Sequence, residues 1–197
     1  MRRRPIHIRA QQLRKMPRIG VLLPGAPATW SLRSKALLDG LRDLGYVEGR
    51  RLIEWKWGDD QFDTLSGLAA DLVRSNVDVI VTGGTSATKA LKTATRTIPI
   101  VMAIVGDPVA AGLVDSLARP GGNATGFSIV APELGTKRLE LLKEIVPNLS
   151  SIAVLSNAKN PQSKLEMKEM QTAAQAMGLQ LYPAEISTVS GRMHLSK

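Results

Sequence analysis

The sequence contains no cysteine, which excludes disulfides, thiolate nucleophiles and cysteine–zinc sites. Its two histidines, His7 and His194, stand near opposite chain ends without partners at metal-ligand spacing. The stretch from residue 19 to 186 has none, so an enzyme built on an imidazole base or a cysteine–histidine pair has no residues to work with. Aromatic residues are scarce, at 4%. No run of about 18 apolar residues occurs, the length a membrane-crossing helix needs.

Charge of one sign is also missing where it would count. The net charge of +9 invites a nucleic-acid reading, but residues 1–18 alone hold seven Arg or Lys and no acid. Residues 19–186 carry 17 basic and 17 acidic side chains, a neutral body with no electrostatic footprint for DNA. A helix-turn-helix ahead of the body would not fit in eighteen residues. The leader instead has the basic start of an export signal, "MRRR", and a cleavage-like "RAQQ", separated only by "PIHI". An export signal needs roughly 7–15 apolar residues between them, so retention in the cytoplasm is the expectation for this form.

What is present is an alternation of strands and helices. "RIGVLLPG", "RLIEWKWGDD", "VDVIVTGG", "IPIVMAIVGDPV" and "NATGFSIV" read as strands, the apolar ones buried. Helices are predicted over 31–45, 63–75, 86–96 and 110–118, the first carrying Leu37, Leu41 and Leu44 at helical spacing before Gly45. The second has Leu65, Leu68, Ala69, Leu72 and Val73 on one face, with Asp63 as its cap. Five such units with short connections make a parallel sheet covered by helices on both faces, a three-layer α/β lobe over 19–131.

The series then restarts. A helix follows residue 131, with Leu134, Leu141, Leu142 and Ile145 as its expected buried stripe. "SSIAVLSN" is a strand, Asn160 caps a helix with Pro161 in its first turn, Gly178 stops it, and "LQLYPAEI" is another strand. Residues 132–186 thus form an incomplete second α/β lobe, and 187–197 an atypical tail after it.

Ligands of parallel sheets sit beyond the carboxyl ends of the strands. The most suggestive such loop is "VTGGTSATK", 81–89. It fails the phosphate-loop pattern, because Gly83 and Gly84 are adjacent and Lys89 is followed by alanine. A glycine turn opening a helix remains, able to hold a small anionic group on free N–H donors.

Together, "RIGVLLPG", the stretch from "LLDGLRDLGY" to "TGGTSATKALKTAT", "TIPIVMAIVGDPVAAGLVDSLARPGGNATGFS" and "GTKRLELLKEIVPNLSSIAVLSNAKNP" resemble the ABC-transporter substrate-binding proteins of the type I periplasmic-binding fold. The resemblance runs from about Arg18 to Ile186. It implies two lobes closing on a small polar or amino-acid-like solute, delivery to an ABC permease and its ATPase, and a periplasmic location. Such proteins run to roughly 300 residues, so the resemblance also carries the alternative of a truncated or frameshifted, inactive remnant. An effector-binding regulatory domain shares the fold and is a further alternative. No cofactor, metal, nucleic acid or integral membrane segment is implied.

Within that frame the candidate ligand-binding residues are Thr29, Gly83, Gly84, Thr85, Ser86, Asp107 and Asn157. Thr85 and Ser86 either hold a ligand carboxylate or cap a helix in the ordinary way. Asp107 either accepts from a ligand ammonium or hydroxyl, or forms an Asp-Pro turn. Thr29 and Trp30 end the loop after the first strand, in contact with solute or in packing. Asn157 stands at the opposite lobe's strand end, facing the cleft or serving the next helix. Trp55 and Trp57 share a strand face, as a stacking platform or as packing under a helix.

Overall fold

The computed structural model describes residues 17–46, 53–129, 132–157, 160–186 and 194–195. Its elements run β1 (Ile19–Leu23), α1 (Pro27–Asp43), β2 (Ile53–Trp57), a 3-10 turn (Phe62–Thr64), α2 (Leu65–Arg74), β3 (Val79–Gly83), α3 (Thr85–Ala94), β4 (Ile100–Val105) and β5 (Ala124–Ser128). Then follow α4 (Pro132–Ile145), β6 (Ser151–Asn157), α5 (Pro161–Ala176), β7 (Gln180–Ile186) and β8 (His194–Leu195).

Five strands form one sheet in the order β2-β1-β3-β4-β5, and every pairing in it is parallel. Alternation along the strands sends side chains to two faces. Leu22, Ile80, Ile100 and Met102 point toward α2 and α3, where Leu65, Ala69, Leu72, Ala87 and Leu91 complete the main core. Ile19, Val21 and Leu23 point the other way, toward Trp30, Leu37 and Leu41 of α1. Helices therefore lie on both faces, as an apolar parallel sheet requires.

The coverage is unequal. Helices α2 and α3 bury residues deeply, whereas no residue of α1 is fully buried. Beside α1 a groove of about 330 Å3 opens over the sheet, lined by Val21, Leu23, Leu37, Trp55, Val81 and Ala103 among others. Trp55 and Trp57 stack on each other at 5.3 Å and belong to this packing layer.

In the first lobe's helices three expectations need correction. Helix α1 begins at Pro27 rather than at residue 31, because proline suits the first helical turn, where its missing N–H costs nothing. The helix expected over 110–118 does not form: turns occupy this stretch, and Gly112 at φ 67° closes the first of them with its N–H on Val109 O. Proline and glycine on either side outweigh the apolar spacing of Leu113, Val114 and Leu117. Asp63 falls inside the 3-10 turn, so the N-cap position of α2 is Thr64, which makes no side-chain cap bond.

Strands β6, β7 and β8 form a second sheet, with β7 and β8 antiparallel. His194 and Leu195 of the tail thus pair with Glu185 and Ala184. Helix α5 packs Ala173 and Ala174 into a small core with Ile152 and Leu179. Helix α4 does not follow prediction. Leu139, 2% exposed, is its buried leucine, while Leu134, Leu141, Leu142 and Ile145 are all exposed.

Candidate functional site

A strand order of 2-1-3-4-5 has its topological switch between β1 and β3, where the chain leaves the sheet in opposite directions and opens a crevice at the carboxyl ends. The loop from Pro24 to Ala26 and the turn at Gly83–Gly84 are the two lips of that crevice. They touch: a Cβ on Gly84 would lie 3.2 Å from Pro24 Cγ.

The turn is built for helix initiation without a side-chain cap. Gly84 is the N-cap of α3 with φ 83° and ψ 145°, a region that side-chain-bearing residues avoid. Its N–H donates to Ile104 O at 2.7 Å, tying the turn to β4 across a register shift between Thr82 and Gly83. Its carbonyl accepts from the Thr88 N–H at 3.2 Å and the Thr88 hydroxyl at 2.9 Å. Two residues earlier, within β3, the buried Thr82 hydroxyl donates to Leu22 O, stitching β3 to β1.

The first-turn N–H groups of an α-helix have no partner within the helix, and at α3 the N-cap offers them no side chain. Thr85 is 4% exposed. The Ser86 hydroxyl oxygen is buried and has no hydrogen-bond partner among the described residues. A desolvated hydroxyl left without a partner costs free energy that an added acceptor would recover. The helix dipole adds a preference for negative charge at the same end. The start of α3 thus suits a small anion such as a carboxylate.

The other sequence candidates distribute around this turn. Asp107 follows β4, the neighbour of β3, and its Oδ1 accepts from the N–H groups of Val109 and Ala110 at 2.9 and 3.0 Å. One oxygen therefore organises the 107–112 turn. Thr29 lies in the first turn of α1, exposed, with its N–H on Ala26 O. Asn157 ends β6, in the second sheet, and Asn160 immediately precedes α5. Trp30, taken with Thr29 as a loop residue, instead turns its indole under the crevice onto Leu23, Gly25 and Gly83. Sequence spacing gave no sign of the contact with Gly83, because the two residues are more than fifty positions apart. Among the described residues no group of histidine, aspartate or glutamate is arranged to hold a metal ion.

The chain matches the family described as ABC transporter substrate binding protein over residues 24–192. It is 33% identical to a tyrosine-binding protein of Clostridioides difficile (strain R20291) over 157 residues, which cover 79% of this chain and 45% of that protein. A conserved domain protein of Vibrio cholerae superposes with a TM-score of 0.78 at 35% identity, covering 87% of this chain and 57% of that one. An ABC domain from Streptococcus pneumoniae, solved in complex with L-Trp, gives a TM-score of 0.78 at 29% identity over 89% of this chain and 59% of that one. The chain spans about half the length of these relatives. Among the described residues no helix is long and apolar enough to cross a membrane. By its match across most of its length, this chain belongs to the ABC transporter substrate-binding proteins, solute binders of the type I periplasmic-binding fold rather than enzymes.

Proposed function

We propose that the chain is the solute-binding component of an ABC importer, taking an amino acid in a cleft between lobes at 19–131 and 132–186. In this reading it works in the periplasm and hands its solute to an ABC permease and ATPase. The solute carboxylate sits at the start of α3, on the N–H groups of Thr85 and Ser86 and the Ser86 hydroxyl, with Gly83 and Gly84 allowing close approach. Asp107 accepts from the ligand ammonium through its second oxygen, while Thr29 and Asn157 line the rim. The single observation that carries the reading is the buried Ser86 hydroxyl without a partner, at an uncapped helix start on the switch point of the sheet. Aromatic amino acids are the class to try first, because relatives are described as binding tyrosine and as a complex with L-Trp.

Calorimetric titration with L-Tyr and L-Trp at millimolar concentration tests this. A hydrogen bond to a charged group contributes about 1.5–3 kcal/mol, so Ser86→Ala should weaken binding by about tenfold or more. Tyramine, which keeps the ring and amine but lacks the carboxylate, should not bind. Equal uptake of tyramine and L-Tyr, or no uptake of either amino acid by the unaltered chain, would overturn the reading.

A further inference from the structure

We propose that Trp30 is a positioning residue for the β3–α3 turn: its indole is a wedge that fills the space side chains at positions 25 and 83 would occupy. A Cβ built on Gly83 would stand 2.6 and 2.7 Å from the ring carbons Cη2 and Cζ3. One built on Gly25 would stand 2.8 Å from Nε1 and 3.0 Å from Cδ1. At each position the nearest approach is below 3.0 Å, shorter than real Cβ contacts show, so the ring where it stands and a side chain at either position exclude each other. The six-membered end of the indole therefore supports the last residue of β3, and its five-membered end supports the loop after β1. A single rigid side chain spans the two lips of the crevice.

The surroundings hold the ring in place. Leu23 lies beside Gly83 under it, and the Arg33 guanidinium, one turn further along α1, sits 5.3 Å from the ring centroid. The ring also forms one wall of the groove beside α1. Removing it would leave Gly83 facing an opening instead of a surface. The turn would then keep its bond from the Gly84 N–H to Ile104 O on the β4 side and lose its support on the α1 side. Gly84 adopts a left-handed conformation that is one of many open to an unconfined glycine. The ring fixes Gly83, the residue before it, while Pro24 lies against Gly84 itself, so the turn is confined from the β1 loop and from α1 together.

The effect on ligand rests on the carboxylate site proposed above, but the wedge itself can be read without ligand. Amide hydrogen exchange would be compared in the unaltered chain, Trp30→Leu and Trp30→Phe. The Gly84 and Thr88 amides, whose acceptors are Ile104 O and Gly84 O, report on the turn. Each should lose about tenfold in protection in Trp30→Leu, and less in Trp30→Phe, while Ile80 in mid-strand keeps its protection. Loss spread evenly over the lobe would mean that the ring is ordinary packing, and no loss would mean that it positions nothing.

A second measurement does not require the ring to be removed. In a Trp55→Phe, Trp57→Phe background Trp30 is the remaining tryptophan, and Gly83→Ala should displace it and shift its emission toward that of a solvated indole. Unchanged emission would overturn the wedge. If exchange and emission follow the ring while the unaltered chain takes up neither L-Tyr nor L-Trp, the carboxylate reading fails and the wedge stands.

Discussion

Asp107 shows how one side chain can be committed to structure. Its Oδ1 receives two backbone N–H groups, the arrangement of a capping aspartate. Asp107→Ala should therefore destabilise the lobe by about 1 kcal/mol, measurable in urea unfolding, even with no ligand present. Asp107→Asn retains an oxygen acceptor and should cost less. If the two substitutions cost the same, the two backbone bonds are not what the carboxylate contributes. At this scale the glycines of 83–84 and the hydroxyls of 85–86 were readable in advance, since a strand, a glycine turn and a helix start are local features. The indole across Gly25 and Gly83 was not, because sequence carries no mark of which aromatic will reach which glycine.

Elements tell a similar story with a sharper failure. The α2 face was legible because its apolar spacing meets a sheet already apolar on that side. In α4 four apolar positions looked like a buried stripe, yet the helix turns Leu139 inward and leaves Ile145 at 77% exposure. Spacing identifies an apolar face, but only the neighbours decide whether that face is covered. The contrast can be measured. Leu139→Ala should cost about 2–3 kcal/mol, as truncation of a buried leucine does. Leu142→Ala, at 38% exposure, should cost about 1 kcal/mol or less. Equal costs would place the two leucines in equivalent surroundings, contrary to the structure. The helix expected over 110–118 failed for another reason: apolar spacing was present, but the chain-bending residues around it were stronger.

At the scale of the molecule, the alternation of elements led to the parallel sheet because right-handed crossovers leave few other arrangements. The position of the crevice followed from the sheet order, which residue patterns alone do not specify. What no pattern announced is the imbalance between the two faces of that sheet. One is closed by α2 and α3, and the other is left with the open groove beside α1. Leu32 and Phe127 add to the apolar surface that stays in water, at 84% and 76% exposure.

That imbalance has a calorimetric consequence. The heat capacity gained when a protein unfolds comes chiefly from apolar surface that enters water only at that moment. Leu32, Phe127 and the walls of the groove are already hydrated in the native state, so they contribute little to the change. Differential scanning calorimetry of this chain should accordingly give an increment per residue below the usual range of about 12–15 cal/mol/K. The curve of stability against temperature would then be flatter than for a domain of the same length with both faces sealed. An increment within the usual range would mean that the groove and the bare side chains are covered in solution.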